Sequence, residues 1–140
     1  MARSDAKTGG EKHVAFKRAF STIKIYQEQK NYLAAYVVTF SVIEDRLRAL
    51  FVMWYRLQKS AEPTAKQIAG PFTKIVRTLQ DGGDISNDFA KVLTEEAQKR
   101  NELLHAAMWN LEVFDDMSVR RALKIARELD SITRRMKKSI

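Results

Sequence analysis

The sequence contains no cysteine, and only two prolines and five glycines occur among its 140 residues. Without cysteine, neither a disulfide framework nor a thiolate metal site can hold the fold, and thiol chemistry is excluded. Most of the glycine and proline residues lie in clusters, so they divide the chain into long uninterrupted segments. This pattern predicts long helices joined by few loops.

A long apolar run is also missing. The longest nearly apolar stretch, 33–43, is interrupted by Thr39 and Ser41 and is shorter than the roughly 20 residues that a membrane-spanning helix needs. Residues 1–10 are polar and charged, unlike the apolar core of a secretory signal. We therefore expect a flexible tail over 1–10, a single helical domain over 11–140, a cytoplasmic location and no membrane partner.

Apolar residues recur at helical spacing between the breaks, and no segment shows the alternation of a strand. The second segment has the longest apolar stripe and is predicted to be the central helix. Gly70-Pro71 should bend or break the third segment, whereas Asp115 and Asp116 suit the start of the last one. We predict an all-α bundle of four to five helices, with segments at about 11–30, 31–59, 64–80, 86–108 and 118–138.

The charge balance is strongly basic, with 25 Lys and Arg against 17 Asp and Glu and a net charge of +8. Such a balance favours polyanionic partners, either nucleic acid or anionic lipid. A basic solvated surface without a specific partner explains the net charge equally well. The charge alone does not choose among these alternatives.

Two predicted helices carry charge within their apolar stripes. Counting in alternate steps of four and three places Glu44 in the stripe of the second helix and Arg100 in that of the fourth. A carboxylate taken from water needs a partner, and Arg48 lies one turn beyond Glu44, within reach along the helix. We therefore expect a Glu44–Arg48 pair and a second inward charge at Arg100.

Arg100, Asn101 and His105 lie within about 140° of one helix surface, because successive helical residues are about 100° apart. Arginine holds phosphate through two hydrogen bonds, histidine side chains titrate near neutrality, and asparagine can orient either group. Together these types suffice for RNA cleavage by its own 2′-hydroxyl, with no metal or cofactor. An arginine and a histidine five residues apart also occur by chance, and charges in a stripe also form structural ion pairs.

The segment from Arg100 to His105 resembles the Arg-polar-x3-His signature of the HEPN superfamily of helical ribonuclease domains. The chain is similar to that family in size, in its bundle of four to five helices, and in the position of the motif late in the chain. Glu44-x3-Arg48 resembles the family's upstream Glu-x3-Lys/Arg element. One departure is Ala107, because some toxin members have tyrosine there, so the nucleotidylation that silences them is not implied.

The resemblance implies a HEPN-like fold and a metal-independent endoribonuclease. It implies that Arg100 and His105 cut RNA, that Asn101 assists, and that Glu44 and Arg48 support the geometry. It also implies a homodimer with a composite cleavage site, in a toxin, phage-defence or RNA-processing role with an antitoxin or other regulatory protein as partner. Two alternatives stay open, a non-catalytic module that binds nucleic acid or protein and a purely structural interaction bundle.

Overall fold

The computed structural model describes the backbone of residues 9–139 and the side chains from Ala15 onward. Regular structure in this range is entirely helical, which confirms the predicted all-α bundle. The α-helices are α1 (Gly9–Glu28), α2 (Tyr32–Lys59), α3 (Ala65–Ile68), α4 (Phe72–Asp81), α5 (Asn87–Ala107) and α6 (Asp116–Ser139), with a 3₁₀-helix at Leu111–Val113. The helices of this range include none with an apolar stretch long enough to cross a bilayer. Residues 1–8, which make up most of the predicted tail, lie outside the described range.

The boundary between α1 and α2 is a tight turn. Lys30 adopts a left-handed conformation with φ 58°, which stops the helix before the predicted boundary. The Asn31 side chain then accepts a hydrogen bond from the Ala34 backbone N–H at 3.3 Å. An asparagine in this position satisfies a helix N-terminus that would otherwise lack an acceptor. The turn therefore folds α1 back against α2.

The predicted third helix is divided into α3 and α4 at Gly70-Pro71, as its composition indicated. Thr64 and Gln67 form a capping box at the start of α3, with both reciprocal hydrogen bonds present. The carbonyl groups freed at the break accept from Arg48, whose Nη1 lies 2.8 Å from the oxygen of Ile68 and 3.3 Å from that of Gly70. One arginine of α2 thus fixes the junction between the two short helices.

The central helix of the bundle is α2, as predicted, and it packs mainly against α6 and α1. Arg46 of α2 lies 3.8 Å from Asp130 of α6, whereas Gln27 near the end of α1 donates to Asp116 at the start of α6. The fully buried side chains that join these helices to α4 and α5 include Tyr36, Ile43, Leu47, Leu50, Leu79, Leu93 and Leu129. Burial of this continuous apolar surface is the main source of stability.

The last helix starts two residues earlier than predicted. Asp115 caps α6 by accepting hydrogen bonds from the backbone N–H and the hydroxyl of Ser118, at 2.8 and 2.9 Å. These bonds lower the pKa of the Asp115 carboxyl below its ordinary value. The two aspartates singled out in the sequence therefore mark the true start of the helix, and Ser118 lies in its first turn.

Candidate functional site

Arg100 lies in the second half of α5, and its guanidinium group is held on three sides. Its Nε and Nη2 donate to the side-chain oxygen of Asn101 at 3.2 and 3.0 Å. Its Nη1 lies 3.8 Å from Oε2 of Glu44, too far for a hydrogen bond but close enough for electrostatic attraction. The group also lies over the ring of Phe40, 4.4 Å from the ring centre. These contacts give Arg100 one preferred orientation.

Glu44 and Arg48, which the sequence predicts to pair along α2, lie close to each other and to Arg100. Oε2 of Glu44 lies 3.7 Å from Nη2 of Arg48 and 3.8 Å from Nη1 of Arg100, so one carboxylate is shared by two arginines. The side chain of Glu44 is only partly buried, with 34% exposed, so water also contributes to its solvation. The three side chains form a cluster that carries one net positive charge next to α5.

Asn101 and His105 are exposed and lie one helical turn apart on α5. Arg100 is less exposed and points toward α2, but its hydrogen bonds to Asn101 bring the guanidinium to the edge of this exposed surface. The carbonyl oxygen of His105 accepts a bond from the Met108 N–H in the final turn. The structure thus joins Arg100 to Asn101 by hydrogen bonds, and His105 lies one helical turn beyond Asn101.

An exposed apolar patch surrounds the end of α5. We call it the terminal patch; it consists of Leu104, Met108, Trp109 and Leu111, which are 41%, 73%, 83% and 62% exposed. Leu104 is adjacent to His105, and the other three follow within the next six residues. Large apolar side chains grouped in this way are uncommon on a surface that faces only water. The high exposure of Trp109 excludes a core role for this side chain within one chain.

The most buried charged group of α5 is Glu96, which lies four residues before Arg100 and therefore in the same apolar stripe. Its side chain is 2% exposed. Arg121 of α6 donates to both carboxylate oxygens, at 2.7 and 3.1 Å, and the hydroxyl of Tyr36 donates at 2.5 Å. Burial raises the pKa of Tyr36 above its ordinary value, and the bond to Glu96 raises it further. The same carboxylate, through its hydrogen bonds, raises the pKa of Arg121.

This network has a structural role beside the candidate site. It connects α2, α5 and α6 at a point one helical turn before Arg100, so it fixes the position of the helix that carries the site. A sequence signal existed in the position of Glu96 within the apolar stripe. The partners of Glu96 could not be inferred from the sequence, because Tyr36 and Arg121 are distant from it in the chain. Arg121 is also one of many basic residues in the last helix.

In the described part of the chain, no group of three or more His, Asp and Glu side chains is arranged to hold a metal ion. Comparison of the chain with family models, curated proteins and solved structures finds no match. The function must therefore be argued from the arrangement around Arg100 and His105.

Proposed function

We propose that the protein is a metal-independent endoribonuclease of the HEPN type, with Arg100, Asn101 and His105 at its cleavage surface. The observation that carries this proposal is the orientation of Arg100. Asn101 accepts from Nε and Nη2 of the guanidinium, and Glu44 lies near Nη1. The remaining N–H groups on Nη1 and Nη2 are able to donate to a phosphate. The exposed imidazole of His105 lies on the neighbouring part of the same helix.

The proposed reaction needs one base, one acid and one cation. The 2′-oxygen of RNA attacks the adjacent phosphorus while the bond from phosphorus to the 5′-oxygen breaks, leaving a 2′,3′-cyclic phosphate and a 5′-hydroxyl. His105 accepts the 2′-hydroxyl proton or protonates the departing 5′-oxygen. Arg100 stabilises the negative charge that accumulates on the phosphate oxygens in the transition state. Glu44 and Arg48 act as positioning residues, because they contact Arg100 or its carboxylate partner.

A homodimer would complete this site. A single chain offers one His105, whereas the reaction uses both a base and an acid, and a second copy of the motif would supply the other. The terminal patch supports such pairing because Leu104, Met108, Trp109 and Leu111 leave a large apolar surface beside His105 uncovered. Covering it in a dimer would bring the two copies of the motif toward one cleft.

The basic surface supports RNA as the substrate. Lys124 and Arg127 are exposed on α6, and Arg135, Lys137 and Lys138 are exposed near its end. An excess of positive charge attracts the phosphate backbone at long range and raises the rate of association. We extend the proposal to a cytoplasmic role as a toxin or phage-defence effector, restrained by an antitoxin or another regulatory protein.

The proposal is tested by RNA cleavage in the presence of EDTA, with the parent protein compared with Arg100→Ala and His105→Ala. The matched control is His13→Ala, which removes the other histidine of the chain. Loss of an acid–base group or of the phosphate-binding cation should lower the cleavage rate by about 100-fold or more. Equal rates for the parent and His105→Ala, with both proteins folded by circular dichroism, would refute the proposed role of His105.

A second candidate, a non-catalytic module that binds RNA, is favoured by the contacts of Arg100 with Phe40, Glu44 and Asn101. An arginine whose side chain serves only to stabilise the fold would make the same contacts. This function predicts RNA binding that weakens steeply with salt yet is unchanged in His105→Ala, without cleavage under any condition. Filter binding at several salt concentrations, run beside the cleavage assay, separates the two candidates.

A further inference from the structure

A cleft on the far part of α2 is separate from the candidate cleavage site. Three aromatic side chains from one stretch of α2, Phe51, Trp54 and Tyr55, form one wall. The ring centres of these residues lie 6.0 to 6.3 Å from one another. The opposite wall comes from α3, α4 and the Gly70-Pro71 break between them. We call this space the aromatic cleft; its volume is about 550 Å³, within the range of small-molecule sites.

The walls of the aromatic cleft are fixed by contacts outside it and at its edge. Arg48 holds the α3–α4 junction through the carbonyl oxygens of Ile68 and Gly70. The capping box orders α3, and the Gln67 amide donates to the hydroxyl of Tyr55 at 3.4 Å across the cleft. A cleft whose opposite walls are tied together in this way loses little conformational freedom when a ligand enters.

The charges that line the aromatic cleft all have one sign. Lys59, Lys66 and Lys74 are exposed residues of its lining, and no Asp or Glu belongs to that lining. None of the three lysines forms an ion pair with a carboxylate of the described residues. The cleft therefore combines a flat apolar interior with a positively charged edge.

From this combination we infer that the aromatic cleft binds a small planar aromatic anion. Aromatic walls favour a flat ring system, which can pack against the rings of Trp54 and Tyr55 in stacked or tilted geometry. The lysines favour a carboxylate, sulfonate or phosphate that projects from the ring toward the edge of the cleft. A fatty acid would make the apolar contacts and the charge interaction with the lysines, but its acyl chain could not stack on the aromatic rings. The inference is independent of the proposed nuclease activity, because the cleft contains none of the residues assigned to cleavage.

The test uses anilinonaphthalene sulfonate as a fluorescent aromatic anion and a Trp109→Ser background. This background leaves Trp54 as the only indole and removes the largest apolar side chain of the terminal patch, which is a competing surface for an apolar probe. We expect one probe per chain, with energy transfer from Trp54. The uncharged analogue phenylnaphthylamine and the acyl anion laurate should both bind more weakly.

Two variants locate the binding. Lys66→Gln combined with Lys74→Gln should weaken probe binding by about three- to tenfold, the loss expected for two exposed charge interactions. Ala69→Phe should abolish binding by filling the cleft from its lining. Lys24→Gln combined with Lys91→Gln is the control, because it removes the same charge from exposed positions outside the cleft lining. Circular dichroism confirms that each variant is folded.

Each result decides for or against the inference. Selective loss in the lysine variant and in Ala69→Phe, with the control unchanged, supports an aromatic anion site. Equal weakening by the control would show only a general attraction to a basic protein and would overturn the inference. Probe binding that survives Ala69→Phe, or a preference for laurate or for the uncharged analogue, would overturn it as well.

Discussion

Gly82 lies against the indole ring of Trp54, where there is no room for a Cβ atom. Its φ is −77°, which any residue can adopt, so its need for glycine is not conformational. A Cβ at this position would lie 2.5 Å from Nε1 of Trp54 and 3.2 Å from the Asp84 side chain. Nε1 of Trp54 and Oδ2 of Asp84 are both buried and have no hydrogen-bond partner within the described structure. The loop therefore closes tightly over the edge of the indole ring.

We expect Gly82→Ala to destabilise the protein by about 1–3 kcal/mol, because a rigid indole must move to admit the methyl group. The measurement is chemical denaturation of the single variant and of Gly82→Ala combined with Trp54→Phe. The smaller ring relieves the clash, so the glycine substitution should cost less in the double variant. Equal costs in both backgrounds would show that Trp54 is not the obstacle.

Asp115 gives a pH-dependent contribution to stability. Because the native structure lowers the pKa of its carboxyl, the cap contributes fully above the ordinary aspartate pKa and is lost as the pH falls through the lowered value. Asp115→Ala should cost about 1 kcal/mol near neutral pH, the usual value for a lost N-cap. Thermal denaturation of the parent and Asp115→Ala between neutral pH and about pH 3 should show the difference shrinking in acid. A difference that stays constant over this range would contradict the role of the ionised cap.

At the scale of the helix, one buried carboxylate ties α5 to two helices that are distant in the chain. Glu96 connects α5 to α2 through Tyr36 and to α6 through Arg121, and both Tyr36 and Arg121 would lose this hydrogen-bond partner if the carboxylate were removed. We expect Glu96→Ala to reduce the free energy of unfolding by about 3–5 kcal/mol. The neighbouring exposed Glu95→Ala is the control and should change it by less than about 0.5 kcal/mol. Urea denaturation of the two variants provides the comparison, and similar midpoints for both would mean that the network contributes little.

The amino-acid sequence predicts the helices well because their signals are local. The capping box at Thr64, the break at Gly70-Pro71 and the aspartates before α6 all act within a few residues, and the structure contains each of them. The ion pair of Glu44 with Arg48 belongs to the same class, since both groups lie on one helix.

Contacts between helices were harder to predict. The shared carboxylate between Arg48 and Arg100, and the partners of Glu96, depend on how α2, α5 and α6 pack. Helical periodicity reports which face of a helix is buried but not which residue of another helix it meets. For the same reason, periodicity does not show that Trp109 lies outside the core of the single chain, where its 83% exposure places it.

The whole molecule has an uneven surface, with the terminal patch at the end of α5 and basic residues along α6. If the terminal patch mediates the proposed dimer, Met108→Ser combined with Trp109→Ser should produce monomers at concentrations where the parent is dimeric. Leu57→Ser is the control, because Leu57 is 50% exposed but lies on α2 outside the patch. Sedimentation velocity measures the three proteins. A dimer that persists in the double variant would exclude the patch as the interface.

The most direct test of the proposed chemistry changes the substrate instead of the protein. The parent protein is incubated in EDTA with an RNA and with the same RNA carrying 2′-O-methyl groups, and the product ends are identified by mass spectrometry. The proposed mechanism predicts cleavage of the unmodified RNA alone, with 2′,3′-cyclic phosphate and 5′-hydroxyl ends, because the 2′-oxygen is the nucleophile. Cleavage of the methylated RNA, or products with 3′-hydroxyl ends, would contradict the proposed mechanism.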